Sequence, residues 1–300
     1  MLDLKGIIPP LVTPFDADGS VLYDAFDRNF DRYFEAGIQG FLVLGSTGES
    51  VYLEHSEKVN LIKSARKRLS RSMMLLAGTG QESTRSTIEL TKEMADLGVD
   101  AVLVKNPFYY KSQMTFDVYL AHYAAVADAS PVPVIVYNVP AFTGISMEAR
   151  LIIELSKHPN IRGLKESSGD AGLISQVVWN TDREKYPVLV GAAPTLFPNM
   201  MTGARGGVVA MADAAPKAML DLYRAFVAGD YRKAANIQRI IAPAAAAVTT
   251  KFGISGLKAA MTMEGFAAGE PRRPLLPVNA AQREEIQQLF RQMKNDLAEQ

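Results

Sequence analysis

Lysine, tyrosine and hydroxyl side chains are the reactive groups that stand at the ends of this chain's apolar runs. Lys165 closes the run Ile161-Arg162-Gly163-Leu164, and Lys105 closes a second run over 101–105. A lysine walled by apolar residues loses its proton more readily, because desolvation disfavours the ammonium. A neutral amine condenses with a ketone to a Schiff base, and enzymes tune such lysines down to a pKa of about 7–8. A single strand-end lysine is more often merely solvated, and the residues alone do not choose between Lys165 and Lys105. Tyr137 precedes Asn138-Val139-Pro140. Its phenol can relay protons, although a tyrosine in such a place more often packs with its hydroxyl satisfied. The stretch GSTGES at 45–50 offers backbone N–H groups and the hydroxyls of Ser46 and Thr47. Turns of this kind bind carboxylate or phosphate. The stretch lacks the GK[ST] of a P-loop, which disfavours a nucleoside triphosphate. Its plainer reading is a tight, glycine-rich turn from strand to helix.

Other chemistries fit poorly. Glu49, Glu166 and Asp213 are the strand-end carboxylates and are scattered, which argues against two-carboxylate glycosidase chemistry. The three histidines, His55, His122 and His158, lie away from the strand ends and read as structural, so a metal site is not expected. With no cysteine, disulfides, zinc–thiolate sites and cysteine nucleophiles are excluded. Lys plus Arg and Asp plus Glu both number 32, so the formal charge is zero. Nucleic-acid and anionic-membrane binders lean on excess positive charge, and neither partner is expected. The basic run over 63–71 falls at a helix end, where cations offset the dipole. No signal-peptide core and no apolar run of roughly 20 residues is present, so a cytoplasmic, soluble chain is expected.

These residues need a scaffold that gathers strand ends. A chain of 300 residues, 48% hydrophobic and 21% charged, suits one large α/β barrel. Eight short apolar runs occur, at 7–15, 40–45, 73–78, 101–105, 134–138, 161–166, 187–191 and 206–211. Continuous apolar runs between helical patterns are strands buried on both faces, hence parallel. Helical spacing covers 22–36, 54–69, 83–97, 115–129 and 147–156, with Ser83 and Thr115 at N-cap positions and Gly37 and Gly98 at C-cap positions. Eight strand–helix units predict a (β/α)8 TIM barrel, whose sites lie at the C-terminal strand ends. After the eighth run come only helices, at 217–227, 231–249, 254–264 and 280–298. The expected division is a barrel over 1–228 and a packed C-terminal helical extension over 229–300.

Together GSTGES (45–50), YNVP (137–140) and GLKES (163–167) resemble the dihydrodipicolinate synthase/N-acetylneuraminate lyase family of class I Schiff-base aldolases. Thr13-Pro14-Phe15 and Pro107-Phe108-Tyr109 also match, and the resemblance covers nearly the whole chain. It implies a carbon–carbon lyase acting on 2-oxo acids, with pyruvate as common product or donor and no cofactor. By resemblance, Lys165 rather than Lys105 forms the Schiff base and Tyr137 is the general acid/base. Ser46 and Thr47 hold the carboxylate, with the Thr47 hydroxyl linked to Tyr137. Tyr109 reaches into a neighbouring subunit's site, which implies a homotetramer built as a dimer of dimers. Val209 and Phe142 complete the expected substrate-binding set.

The resemblance also bears on the second substrate. Dihydrodipicolinate synthases read YNVPxRTG, with an arginine for the semialdehyde carboxylate, whereas 137–144 reads YNVPAFTG with Phe142 in that place. An apolar ring does not replace a bidentate clamp. His55 matches the family's lysine-feedback site, but Lys58, Glu82 and Ser86 replace its other ligands. The stretches 107–115, 130–144, 158–170 and 246–258 resemble 4-hydroxy-2-oxoglutarate aldolases, which yield pyruvate and glyoxylate, although Thr47, Phe142 and Ala192 depart from that subgroup. The first expectation is therefore such an aldolase. The alternatives are a 4-hydroxy-tetrahydrodipicolinate synthase, a 2-keto-3-deoxy sugar acid aldolase or dehydratase, and a non-catalytic small-molecule-binding barrel.

Overall fold

The computed structural model describes residues 3–299. Its elements, in chain order, are β1 (Gly6–Ile8), α1 (Tyr23–Ala36), β2 (Gly40–Val43), α2 (His55–Arg68), β3 (Met74–Gly78), α3 (Thr84–Asp96), β4 (Ala101–Lys105), α4 (Phe116–Ala129) and β5 (Val134–Asn138). There follow α5 (Pro140–Thr143), α6 (Ala149–Leu155), β6 (Ile161–Glu166), α7 (Ala171–Asn180), β7 (Val188–Val190), α8 (Leu196–Met201) and β8 (Gly206–Val208). The remainder is helical: α9 (Met211–Ala214), α10 (Pro216–Val227), α11 (Tyr231–Ala246), α12 (Gly253–Met263) and α13 (Ala280–Ala298). The strands follow the order β1-β8-β7-β6-β5-β4-β3-β2 in one sheet. This is the (β/α)8 TIM-barrel fold, with further helices at the C-terminal end. No helix among the described residues is long and apolar enough to cross a membrane.

The chain forms two compact units, Met74–Val208 with the first residues up to Gly6, and Ile7–Met73 with Val209–Gln300. The first is a parallel sheet, β3 to β8, with α3 to α8 in its crossovers. Its strands are buried because both faces are covered: every residue of β5 is buried, and in β6 all but Arg162. Helix starts are fixed by side-chain caps. Ser83 accepts from the Ser86 N–H, Thr115 from the Val118 N–H, and Asp170 from the Gly172 and Leu173 N–H groups. Helix α7 is an element the sequence spacing did not single out.

The second unit carries β2, α1, α2 and the helices after β8. Phe26, Phe30 and Tyr33 of α1 are buried, and the Phe30 ring lies 5.1 Å from that of Phe41 on β2. Gly37 ends α1 in the left-handed conformation, φ 93°. Helix α11 packs on α10 and α13, and α12 packs on α13. The boundary expected at 228/229 falls inside this unit.

Several expected elements come out shorter, and in three of them the cause is local. The first strand stops at Ile8, since Pro9 and Pro10 have no N–H for a ladder. The eighth stops at Val208, and Met211–Ala214 turns helical instead. The helix expected over 231–249 gives way after Ala246 to a π turn, Ala247–Lys251, just beyond the in-helix Pro243.

Candidate active site

Register does the gathering in the first unit. Lys105 pairs with Tyr137 across β4 and β5, and Tyr137 pairs with Lys165 across β5 and β6. Residues abreast in a parallel sheet point to the same face. Lys165 is 4% exposed, and its Nζ lies 4.3 Å from the centroid of the Tyr137 ring. Among the described residues no carboxylate pairs with Lys165. Lys105 differs: its Nζ bonds Glu82 Oε1 at 2.9 Å and sits 4.7 Å from the Phe108 ring centroid. The two lysines that the sequence left level thus have different surroundings. Lys105 has a carboxylate beside it, while Lys165 is buried against an aromatic face with no carboxylate partner among the described residues.

One residue further along, Asn138 pairs with Glu166, and neither is exposed. Asn138 Nδ2 donates to Glu166 Oε2 at 2.6 Å, and Asn138 Oδ1 accepts from the Met147 N–H at 3.0 Å. Glu166 Oε1 accepts from the Ser168 N–H at 2.5 Å. Burial raises the Glu166 carboxyl above its ordinary range, against these hydrogen bonds. This pair fastens the strand ends that present Tyr137 and Lys165.

Tyr109 and Phe142 are exposed, at 75% and 61%. Glu82 Oε2 accepts from the Phe108 and Tyr109 N–H groups, both at 2.9 Å, so one carboxylate ties Lys105 to the loop carrying Tyr109. Although burial opposes it, these bonds hold Glu82 below the usual carboxylate range. Phe142 lies in the short helix α5 after the YNVP stretch.

In the second unit, GSTGES forms a tight turn after β2. The Gly48 N–H donates to Gly45 O at 3.1 Å and the Glu49 N–H to Ser46 O at 3.0 Å. Thr13 Oγ1 donates to Gly48 O at 2.7 Å. The turn is flanked by Leu44 and Glu49, at φ 61° and 54°. Within this unit the N–H groups and hydroxyls of Ser46 and Thr47 have no acceptor among the described residues. Donors on successive residues left without partners are what an anion-binding turn requires. Val209, just past β8, is buried, with its N–H on Ile8 O at 3.2 Å.

Spacing did not reveal a second buried lysine, Lys258, paired with Glu49 at 2.6 Å. Burial draws Lys258 down to about 8, while Glu49 pulls it back up. The one sequence signal was that Glu49 closes the GSTGE core of the turn, with no basic residue beside it.

Comparison with known proteins adds the following. The sequence matches the Dihydrodipicolinate synthetase family over residues 3–293. It is 33% identical over 292 residues to a 4-hydroxy-tetrahydrodipicolinate synthase of Methanosarcina barkeri, covering 96% of this chain and 98% of that one. A prophage protein of the dihydrodipicolinic acid synthase family from E. coli K12, solved in complex with pyruvate, superposes with a TM-score of 0.91 at 28% identity, covering 98% and 99% of the two chains. A monomeric dihydrodipicolinate synthase variant superposes with a TM-score of 0.91 at 26% identity, covering 97% of each.

Proposed function

The chain belongs to the dihydrodipicolinate synthetase family, whose members are carbon–carbon lyases and synthases working through a pyruvate Schiff base, and from that premise we propose how its residues divide the work. Lys165 Nζ attacks the carbonyl carbon of a 2-oxo acid, and loss of water leaves the imine. Once protonated, the imine accepts the electron pair released when the C3–C4 bond breaks, or supplies an enamine when that bond forms. Tyr137 moves the proton at the bound substrate, and Ser46 and Thr47 hold the carboxylate. Val209 lines the pyruvate end, and Phe142 faces the second substrate. The observation that carries this reading is Lys165, buried, without a counter-ion and abreast of Tyr137. Pyruvate with borohydride should leave a reduced adduct on Lys165. An adduct on Lys105 or Lys258, or none, sinks the mechanism.

For the second half-reaction, the name carried by the relatives favours 4-hydroxy-tetrahydrodipicolinate synthesis, in which the enamine condenses with aspartate semialdehyde. That name ranks ahead of the 4-hydroxy-2-oxoglutarate aldolase expected from the sequence. One observation favours the aldolase: Phe142 stands where the synthase arginine would bind the semialdehyde carboxylate. A carboxylate facing an apolar wall is desolvated without return. A missing charged hydrogen bond costs about 1.5–3 kcal/mol. The deciding measurement is kcat/KM for semialdehyde condensation against 4-hydroxy-2-oxoglutarate cleavage, in wild type and in Phe142→Arg. A synthase condenses efficiently without the arginine. An aldolase condenses poorly and gains about tenfold or more from it.

A further inference from the structure

The GSTGES turn is held by charges that arrive from the far end of the sequence. Lys258 Nζ, in a residue 1% exposed, donates to Thr13 O and Glu270 O, both at 2.7 Å, and lies 2.6 Å from Glu49 Oε1. The two carbonyls take hydrogen bonds from the ammonium, and the Glu49 carboxylate is its counter-ion. Glu49 Oε2 accepts from the Arg272 N–H at 2.8 Å. The Arg272 guanidinium grips both oxygens of Glu57, at 2.6 and 2.7 Å, and lies 4.2 Å from the Phe15 ring centroid. Thr13, fixed by Lys258 through its carbonyl, in turn donates through Oγ1 to Gly48 O. The two residues after Thr47 are therefore clamped, Gly48 through Thr13 and Glu49 through its carboxylate.

The clamp acts on strained backbone. Glu49 holds φ 54°, a conformation that non-glycine residues keep only where their surroundings over-determine it. A Cβ on Gly48 would come within 2.9 Å of Leu11 O, so the turn has no slack on that side. A buried ion pair is a poor way to gain stability, since apolar residues of similar volume often serve as well or better. It is a directional contact, however, and it fixes the backbone it touches. What it fixes here is the segment whose Ser46 and Thr47 donors lack acceptors in their own unit.

We propose that Glu49 and Lys258 are positioning residues for the 2-oxo acid carboxylate, holding the Ser46–Thr47 donors in the geometry that receives the anion without touching it themselves. This rests on the assignment of Ser46 and Thr47 to the carboxylate. The C-terminal helices thereby acquire a task in substrate recognition, because α12 supplies Lys258 and the segment after it supplies Arg272.

The test compares two ketones at one lysine. Borohydride trapping on Lys165 is titrated with pyruvate and with methyl pyruvate, which has the same ketone but no carboxylate charge. The proteins are wild type, Glu49→Gln, Lys258→Met and the double variant Glu49→Gln/Lys258→Met, each checked by thermal unfolding. Lys258→Met leaves a buried carboxylate unpaired and is the variant most prone to misfold. The double variant carries neither charge and keeps the test open. In Glu49→Gln and the double variant the pyruvate half-saturation should rise about tenfold, the loss of a well-placed charged hydrogen bond. Methyl pyruvate half-saturation should stay within about twofold, as its ester carries no charge for the turn to receive. Equal losses for both ketones, or an unchanged preference for pyruvate, would overturn the proposal. Absence of a Lys165 adduct in the wild type would instead overturn the Schiff-base reading beneath it.

Discussion

Lys105 and Lys165 lie on the strands either side of β5, both abreast of Tyr137, and their surroundings separate them. Lys105→Met should leave the pyruvate adduct on Lys165 intact, whereas Lys165→Ala should abolish both adduct and turnover while the far-UV circular dichroism stays unchanged. Intact-mass and peptide mapping of the borohydride-treated proteins read both outcomes. His122 makes a different point. Its Nδ1 shares a 2.9 Å hydrogen bond with Thr84 Oγ1, and its Nε2 is buried with no partner. Burial, helped by the charge of Lys105, draws its pKa down to about 4. The unfolded chain takes up this proton near pH 6.5 and the folded chain does not until near 4, so stability falls as pH drops through that window. The drop from this one group is roughly 3 kcal/mol between pH 7 and 4. Urea denaturation at successive pH values should show a shallower slope in His122→Asn, and an unchanged slope would remove His122 as the cause. The sequence singles out Lys165 and Tyr137 through short motifs around each, and the strand register sets the two abreast. It did not identify Glu49, Lys258 and Arg272 as a group, because buried ion pairing leaves no local pattern and these partners stand more than 200 residues apart.

Among the elements, β4, β5 and β6 begin and end where their apolar runs do. Each run stops at a residue with a polar task, Lys105, Asn138 or Glu166, so composition and structure change together. The first and eighth strands are shorter than their runs because apolar residues continue into proline-rich and helical backbone that is also buried. Apolarity reports burial, and burial outlasts the strand. Helix α7 went unseen for a related reason: Ala171, Gly172 and Ser175 blur its apolar spacing, and its start depends on one residue, Asp170. Helix α4 likewise starts on Thr115. Thr115→Ala and Asp170→Ala should each cost about 1 kcal/mol of unfolding free energy, with Asp170→Asn costing much less. Equilibrium denaturation in urea measures this, and equal losses for Asp170→Ala and Asp170→Asn would show that charge rather than capping sets the effect.

At the scale of the whole molecule, the proposal that subunits share a site rests on Tyr109. Tyr109 is 75% exposed, and its backbone N–H is held by Glu82. If it completes a neighbouring subunit's site, mixed Tyr109→Phe and Lys165→Ala chains should recover activity, because a hybrid dimer holds one intact site. Dead hybrids under proven subunit exchange would place Tyr109 outside that relay. Glu82 is engaged with Lys105, Phe108 and Tyr109, and Lys58 and Ser86 offer the wrong charge or reach for a lysine effector. Free L-lysine at low millimolar concentration should leave the initial rate unchanged, and cooperative inhibition would contradict this.

The clamp on the GSTGES turn also bears on how the molecule is made. Glu49 leaves the ribosome more than 200 residues before Lys258 and Arg272 do. Through that interval a nascent chain already carrying all eight strands would have to bury this carboxylate without its cation. Contacts of such sequence separation form late and slowly. Helix α12 and the segment after it are therefore what closes the turn, and a chain halted at residue 250 should contain every proposed catalytic side chain yet fail to retain pyruvate. The lag between finishing the chain and gaining 2-oxo acid binding, followed by trapping on stalled and released chains, should track the docking of α12 and the segment after it and not the barrel strands.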